Sequence, residues 1–258
     1  MASLRARLAE FLSPLAKRLV RRMQDDFVAK ATGKGADTAA LRNQLASRFE
    51  TIHGKISCAH QPLELYLLAD AILGSALPGP VVELGCFKGG STAKLSLAVK
   101  AAGRALYVCD SFEGLPAPAA VEATHRLVTG DTTSYSQGDY RGGLEEVKAN
   151  VGTWGAIEVC TFVKGFFSDT LPGLDVRPAL IFMDVDLIES ARTCVKEFWP
   201  RLHPGGRFYT HEAGVDTFLR GLLDPSWWHA TFRSCPPLLL GAGFGHGPDA
   251  EHLAYFVR

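Results

Sequence analysis

The sequence predicts an α/β protein whose mostly parallel sheet is covered by helices on both faces. From residue 80 onward, short runs that are apolar throughout, such as "PVVELG", "ALYVCD" and "ALIFMDVD", alternate with segments of helical spacing. Strands that are buried on both faces appear as continuous apolar runs, and the helices between them supply the crossovers that parallel strands need. With 258 residues, 47% of them hydrophobic, the chain is long enough to bury the core of such a domain.

The elements of this domain follow one another in a regular order. The predicted strands are "PVVELG", "ALYVCD", "IEVCTFVKG", "ALIFMDVD" and "RFYTHE", and the predicted helices are "STAKLSLAVKAAG", "GGLEEVKANV" and "LIESARTCVKEFWPRL". The polar segment "AVEATHRLVTGDTTSYSQGDYRGG" is longer than a plain connection needs, which favours a mobile lid. The C-terminal "HLAYFVR" predicts one more strand, at an edge of the sheet.

Residues 1–75 predict an N-terminal helical extension, and residues 76–258 form the predicted α/β domain. Four leucines and a phenylalanine recur at helical spacing over residues 4–19 between basic residues, and residues 38–75 predict two further helices. An isolated surface helix would leave this apolar stripe exposed to water. We therefore expect it to pack on its own domain or on a second subunit, in a homodimer or larger assembly, rather than on a membrane.

Charge and cysteine usage favour a cytoplasmic enzyme that acts on a small molecule. Lys and Arg together number 27, as do Asp and Glu, so the broad basic footprint of a nucleic-acid-binding protein is absent. The six cysteines are scattered without CxxC spacing, which favours reduced thiols over disulfides or a zinc site. No stretch approaches 18 apolar residues and no signal-peptide pattern is present, so neither membrane spanning nor secretion is expected.

A nucleoside site is predicted beyond the first two strands, since ligands of open α/β sheets bind at the carboxyl ends of the strands. After the first strand, Gly85 and Gly89 allow a tight turn and close backbone approach, and the following helix N-terminus favours an anionic group. The spacing GxxxGG differs from the GxGxxG of dinucleotide sites and favours a ligand with a carboxylate. The second strand ends at Asp110, whose carboxylate is positioned to accept ribose hydroxyls.

Five blocks of the chain resemble the macrocin O-methyltransferase family. They are "VVELGCFKGGST", "CDSFEGLP", "VKGFFSDTLP", "FMDVDLIES" and "PRLHPGGRFYTHEAG", and they lie in this order between about residues 50 and 215. This family comprises class I S-adenosylmethionine-dependent methyltransferases that act on sugar hydroxyls of natural products. The resemblance implies a Rossmann-like, seven-stranded methyltransferase sheet and methyl transfer to a hydroxyl of a small molecule, a sugar or a glycosylated natural product.

The resemblance also implies which residues bind S-adenosylmethionine. Asp110 would hold the ribose, and the turn with Gly165 and Phe166 would lie near the adenine. An aromatic side chain just beyond a strand can stack on a base, which agrees with that role for Phe166. The expected cofactor-binding residues are Glu83, Gly85, Lys88, Gly89, Ser91, Asp110, Ser111, Phe112, Gly165, Phe166 and Asp184.

The resemblance further raises the question of a metal ion. Family members hold magnesium between an Asp after the fourth strand and an Asp-Asp or Asp-Asn pair after the fifth. Asp184 occupies the first position here, whereas His211 and Glu212 replace the pair. An imidazole with two carboxylates suits manganese, iron, cobalt or zinc better than magnesium.

Three hypotheses about this site therefore remain open. It is a transition-metal site formed by Asp184, His211 and Glu212, a magnesium site that tolerates one nitrogen, or a metal-free site in which His211 is the general base. Asp184 and His211 are the predicted catalytic residues in each case.

Two other functions compete with O-methyl transfer. A metal-dependent hydroxylase on the same fold is one, because an imidazole with carboxylates resembles the ligand set of non-haem iron oxygenases. The cephalosporin hydroxylase group also resembles the chain, more distantly. The second alternative is a catalytically inactive protein that only binds the cofactor. Methyl transfer without oxygen, oxygen consumption with iron, and cofactor binding without turnover distinguish the three.

Overall fold

A computed structural model describes residues 18–120, 122–126, 132–241 and 252–258 of the chain. Most of the apolar stripe of residues 4–19 lies outside this part, so its packing and the expected homo-oligomer stay predictions. Within the described residues, no helix combines the length and the apolar character needed to cross a bilayer.

The helices and strands alternate as the sequence predicts. In chain order the strands are β1 (Val81–Leu84), β2 (Leu106–Asp110), β3 (Thr124–Arg126), β4 (Thr132–Ser134), β5 (Cys160–Lys164), β6 (Leu180–Met183), β7 (Arg207–Thr210), β8 (Leu240–Gly241) and β9 (Ala254–Val257). The α-helices are α1 (18–29), α2 (Ala39–His53), α3 (Pro62–Gly74), α4 (Gly90–Ala101), α5 (Leu144–Trp154), α6 (Phe167–Thr170), α7 (Ile188–Phe198), α8 (Asp216–Leu222) and α9 (Pro225–Phe232).

Seven strands form one sheet in the order β5-β2-β1-β6-β7-β9-β8. Strands β5, β2, β1, β6 and β7 are parallel, whereas β9 is antiparallel to both of its neighbours. The predicted Rossmann-like α/β fold is thus confirmed. The edge position expected for the C-terminal strand is wrong, because β9 lies between β7 and β8. The two-residue strand Leu240–Gly241 occupies that edge, and it is too short to give a periodic signal in the sequence.

Each face of the sheet has its own hydrophobic core. One core joins α1 to α5 to the sheet through side chains such as Phe27, Phe49 and Leu68. The other lies under α7 to α9 and includes Phe198, Phe208 and Trp228. The helices before β1 therefore share a core with the sheet, and the boundary proposed at residue 75 falls in the connection between α3 and β1.

Local sequence signals determine where helices α3 and α4, which both lie beside the site, begin. Helix α3 begins with Pro62 and a capping box, in which the backbone N–H of Gln61 donates to Oε2 of Glu64 at 2.8 Å. Helix α4 begins directly after Gly89, which has a left-handed conformation with φ of 80°. The first signal fixes the Glu64 side chain, and the second allows the loop after β1 to turn sharply into α4.

The long segment predicted as a lid contains the separate antiparallel ribbon β3–β4. Behind the ribbon, the backbone of Leu115 pairs with Asp139 and Gly138. Tyr135, which directly follows β4, is buried. The described part of the segment therefore places ordered side chains beside the carboxyl ends of the central strands, and its mobility stays a prediction.

Candidate active site

A cavity of about 680 Å³ lies beyond the carboxyl ends of β1, β2, β5, β6 and β7. Parallel strands bring the loops after them to one edge of the sheet, which is where ligands of open α/β sheets bind. The segment from residue 57 to residue 64, at the start of α3, closes the cavity from the side of the N-terminal helices. This segment brings three polar side chains to the site, Cys58, His60 and Glu64.

The loops after β1 and β2 are held together by Asp110. Its Oδ2 accepts the backbone N–H of Cys86 at 2.8 Å, and its Oδ1 accepts that of Phe112 at 2.7 Å. Burial raises the pKa of the carboxyl group. Each carboxylate oxygen has a second lone pair, so Asp110 retains acceptor capacity toward the cavity that it lines. This arrangement fits the ribose-binding role expected of Asp110.

Gly85 permits the close approach of the loops after β1 and β6. Its φ is 85°, and a Cβ atom added there would lie 1.9 Å from the backbone oxygen of Asp184. Three residues beyond the central strands, Phe87, Phe112 and Asp186, also adopt left-handed conformations although they are not glycines. Such conformations cost about 1–2 kcal/mol each and concentrate at functional sites. Two of these three residues, Phe87 and Asp186, line the cavity.

The predicted cofactor residues fall into two groups. Gly85, Ser91, Asp110, Ser111, Phe166 and Asp184 line the cavity, whereas Glu83, Lys88, Gly89, Phe112 and Gly165 do not. Glu83 is fully buried beneath the cavity and accepts the Ser91 hydroxyl at 2.6 Å. Burial raises its pKa to about 7. The structure therefore places Glu83 as a support for the N-terminus of α4, one layer below the cavity surface.

Two imidazoles face one carboxylate at the ends of β6 and β7. Nδ1 of His211 lies 3.4 Å from Oδ1 of Asp184, and Nε2 of His60 lies 3.1 Å from Oδ2 of the same residue. The two rings are 4.4 Å apart between centroids. Their other nitrogens have partners too, because His211 Nε2 lies 3.0 Å from Oε2 of Glu64 and His60 Nδ1 lies 3.2 Å from Sγ of Cys58.

The charges of this cluster shift its pKa values strongly. Burial opposes a charge on Asp184, but the neighbouring His211 and His60 hold its pKa well below the ordinary value. Burial likewise opposes protonation of His211, but Asp184 and Glu64 raise its pKa well above the usual range. Burial and the charge of Asp184 raise the pKa of Asp186. The carboxylates of Asp184 and Glu64 therefore favour protonation of the neighbouring imidazoles.

Glu212, the third residue predicted to bind a metal, uses both carboxylate oxygens in hydrogen bonds outside this cluster. Its Oε1 accepts the backbone N–H groups of Val185 and Asp186 at 2.7 and 3.1 Å, and its Oε2 accepts the Thr210 hydroxyl. The carboxylate thus fixes the left-handed turn after Asp184. Among the described residues, the three side chains whose ligand atoms lie within 4.8 Å of one another are His60, Asp184 and His211. This geometry favours His60 over Glu212 as the third member of the set.

Sequence reasoning missed the contributions of Cys58, His60 and Glu64. They stand in "CAHQPLE", inside the region that resembles the family, where three polar residues cluster at a helix start. That cluster was the available signal. Its proximity to His211 depends on how α3 packs beside the sheet, which no local pattern reports.

Aromatic side chains form a wall beside the cluster. Tyr135 and Tyr140 lie 6.3 Å apart between ring centroids, and Tyr140 meets Phe87 edge to face at 5.8 Å. Burial and the nearby Asp186 raise the pKa of Tyr135. The wall places flat apolar faces with hydroxyl groups next to the carboxylates, which suits contact with a sugar ring.

Comparisons with known proteins point to natural-product methyltransferases. The chain is 33% identical over 157 residues to an 8-demethyl-8-(2,3-dimethoxy-alpha-L-rhamnosyl)-tetracenomycin-C 4'-O-methyltransferase of Streptomyces olivaceus, covering 59% of each chain. It is 29% identical over 147 residues to a demethyldecarbamoylnovobiocin O-methyltransferase of Streptomyces niveus, covering 52% of this chain and 53% of the relative. The matches thus span little more than half the length of these relatives.

Solved structures share the fold. The O-methyltransferase NovP superimposes with a TM-score of 0.59 at 21% identity, over 78% of this chain and 83% of NovP. The calicheamicin methyltransferase CalS11 gives 0.55 at 16% identity, over 95% and 93% of the two chains. At these identities the likeness concerns the fold alone. The model of the macrocin O-methyltransferase family matches residues 54–216, which contain β1 to β7 and all the cluster residues, and the chain therefore belongs to that family.

Proposed function

We propose that the protein is an S-adenosylmethionine-dependent O-methyltransferase whose acceptor is a hydroxyl group of a sugar or a glycosylated natural product. One observation carries the proposal. A single cavity contains both a nucleoside-type half, with Gly85, Asp110 and Phe166, and an imidazole–carboxylate cluster built around Asp184 and His211. Family membership supports the reaction type. The names of the relatives, a rhamnosyl tetracenomycin and a novobiocin methyltransferase, support the acceptor class.

Different residues of the cavity would bind the cofactor and activate the acceptor. When bound, S-adenosylmethionine supplies an electrophilic methyl group on a sulfonium. Asp110 accepts the ribose hydroxyls, and half-exposed Phe166 offers its ring to the adenine. The acceptor hydroxyl would bind beside Asp184 and His211, one of which accepts its proton as the oxygen attacks the methyl group and neutral S-adenosylhomocysteine leaves. Orienting the hydroxyl toward the methyl group supplies much of the rate enhancement.

The acceptor half has room and surfaces for a sugar. Tyr135 and Tyr140 border the cluster, and both line the cavity. Their rings offer stacking faces, and their hydroxyl groups donate hydrogen bonds to sugar oxygens. No basic side chain is needed to neutralise such an uncharged acceptor.

Metal-dependent hydroxylation is the second candidate function, favoured by one observation. Two imidazoles and one carboxylate, in His60, His211 and Asp184, are the ligand types of non-haem iron oxygenases. Methyl transfer consumes S-adenosylmethionine and needs no oxygen, whereas hydroxylation consumes oxygen.

The experiment incubates the protein with S-adenosylmethionine and a panel of rhamnosides and other glycosides under strict exclusion of oxygen. Mass spectrometry then identifies the products. Methyl transfer to a sugar oxygen is expected without oxygen, and it should fall in the variant Asp110→Asn. Product formation that requires oxygen and adds a hydroxyl group instead of a methyl group would overturn the proposal in favour of hydroxylation.

A further inference from the structure

The two imidazoles of the cluster are oriented as metal-binding imidazoles usually are. In such sites, the ring nitrogen that does not bind the metal is held by a hydrogen-bonding partner, which fixes the orientation of the ring. Nε2 of His211 lies 3.0 Å from a carboxylate oxygen of Glu64, and Nδ1 of His60 lies 3.2 Å from the sulfur of Cys58. The remaining nitrogens, His211 Nδ1 and His60 Nε2, both face Asp184.

Nε2 of His60 is paired with Asp184, but the pair is poorly aligned for a hydrogen bond. Nε2 approaches Oδ2 of Asp184 to 3.1 Å, yet it lacks the alignment of a hydrogen bond although it is buried. A buried nitrogen whose partner is poorly aligned is only partly satisfied, and a cation bound by both the nitrogen and the carboxylate would satisfy both. Asp184 keeps about a quarter of its side chain exposed to the cavity, so the three side chains leave one side open.

An all-oxygen magnesium site does not fit these residues. Magnesium requires near-ideal octahedral oxygen ligation. Both oxygens of Glu212 accept hydrogen bonds from the turn after Asp184 and from Thr210, and the residue before Glu212 is a histidine. The set near Asp184 contains two nitrogens and one carboxylate, which suits the later divalent metals.

We propose that His60, Asp184 and His211 form a binding site for a divalent transition-metal ion, manganese, iron, cobalt or zinc, in preference to magnesium. Glu64 and Cys58 act as positioning residues, since they hold the ring nitrogens that face away from the ion. Glu212 shapes the turn and does not bind the ion. The inference deepens the proposed function, because such an ion lowers the pKa of a hydroxyl bound beside it.

Two features separate this proposal from the ligand set expected from the sequence. The third ligand comes from the segment before α3 rather than from the turn after β7, and it is an imidazole rather than a carboxylate. The variants His60→Gln and Glu212→Gln therefore distinguish the two sets. His229→Gln is the matched control, because His229 is an exposed histidine of α9 outside the cavity.

The test titrates full-length protein, freed of metal by a chelator, with Co²⁺ and separately with Mg²⁺. Calorimetry and the visible absorption of Co²⁺ report binding. We expect one Co²⁺ per chain, bound at least about 10-fold more tightly than Mg²⁺. His60→Gln should weaken Co²⁺ binding by about 100-fold or more, beyond the 10- to 100-fold typical of outer positions. Glu212→Gln, which alters only the turn after Asp184, should weaken it by about 10-fold, clearly less than His60→Gln does. His229→Gln should stay within about threefold of the wild type.

Binding of S-adenosylhomocysteine to the same preparations checks that each variant is folded. Should His60→Gln lose this binding, pulsed electron paramagnetic resonance of Mn²⁺ in the unmodified protein decides instead. Couplings to two imidazole nitrogens are expected, and their absence would overturn the proposal. Equal affinity for Mg²⁺ and Co²⁺ would also overturn it, as would unchanged Co²⁺ binding in folded His60→Gln.

The two proposals fail in different ways. Methyl transfer by protein that binds no transition metal would remove the metal site and leave the proposed function intact. Normal Co²⁺ binding without methyl transfer to any glycoside would remove the proposed function and leave the metal site.

Discussion

Nε2 of His211 lies 3.0 Å from Oε2 of Glu64, a residue 147 positions earlier in the chain. The same oxygen accepts the backbone N–H of Gln61 in the capping box of α3. One carboxylate thus caps the N-terminus of α3 and also contacts an imidazole of the cluster. Residues that act on a site through another side chain usually affect turnover more than binding of distant ligands.

Replacing Glu64 with Gln should therefore lower kcat by about 10- to 100-fold, because the neutral amide holds the His211 ring less firmly. The KM for S-adenosylmethionine should change little, since Glu64 contacts His211 and not the ribose-binding residue Asp110. Steady-state kinetics on a glycoside acceptor measure both quantities. Glu50→Gln, an exposed position on α2, is the control. A rise in KM with unchanged kcat would contradict the positioning role.

Asp110 should contribute strongly to cofactor affinity. Asp110→Asn keeps the shape of the side chain but removes its charge, so binding of S-adenosylhomocysteine should weaken by about 1–3 kcal/mol. Isothermal titration calorimetry measures the change. Asp175→Ala, in an exposed loop, should bind the ligand as the wild type does. Equal affinity of Asp110→Asn and wild type would exclude Asp110 from ribose binding and leave it as a support of the two loops.

Alanine substitutions at Gly85 and Gly138 should distinguish the cost of a steric clash from the cost of a left-handed backbone conformation. Their φ angles are 85° and 86°, but a Cβ on Gly85 would meet the backbone of Asp184 at 1.9 Å, whereas one on Gly138 would meet no atom within 4 Å. Gly138→Ala should lower the free energy of unfolding by about 1–2 kcal/mol, the cost of a left-handed alanine. Gly85→Ala should lower it by at least about 3 kcal/mol. Urea unfolding measures both, and equal losses would show that the predicted clash relaxes.

The sheet and half of the site could be predicted from the sequence because they follow local rules. Continuous apolar runs determine strands buried on both faces, and the residues after such strands meet at one edge, which locates Gly85, Asp110, Asp184 and His211. Identifying Glu212 as a metal ligand rested on its place in the family pattern. The direction of its side chain depends on backbone N–H groups in the turn after β6, which carry no sequence signature.

The contributions of His60 and Glu64 could not be predicted in this way. Both residues precede the sheet, and their distance from His211 is set by the packing of α3 across one face of the core. A capping box is recognisable in "QPLE", but the sequence does not show that the same carboxylate also meets an imidazole. Long-range contacts between polar residues were the main part of the site that required the structure.

The last prediction concerns Glu83 and the pH dependence of stability. Its carboxyl group is fully buried, and burial raises its pKa from 4.5 to about 7 in the folded protein. Between these two values, the folded chain binds more protons than the unfolded chain does. The free energy of unfolding should therefore fall as the pH rises through this range, by about 3 kcal/mol for this group.

Glu83→Gln removes the titrating group while keeping a side chain that can accept the Ser91 hydroxyl. The variant should thus become more stable relative to the wild type as the pH rises from about 5 to about 7.5. Urea unfolding in the absence of cofactor measures this difference. Glu145→Gln, on the exposed face of α5, should show no such shift. Parallel pH profiles for Glu83→Gln and the wild type would show that the buried carboxyl group does not titrate in this range.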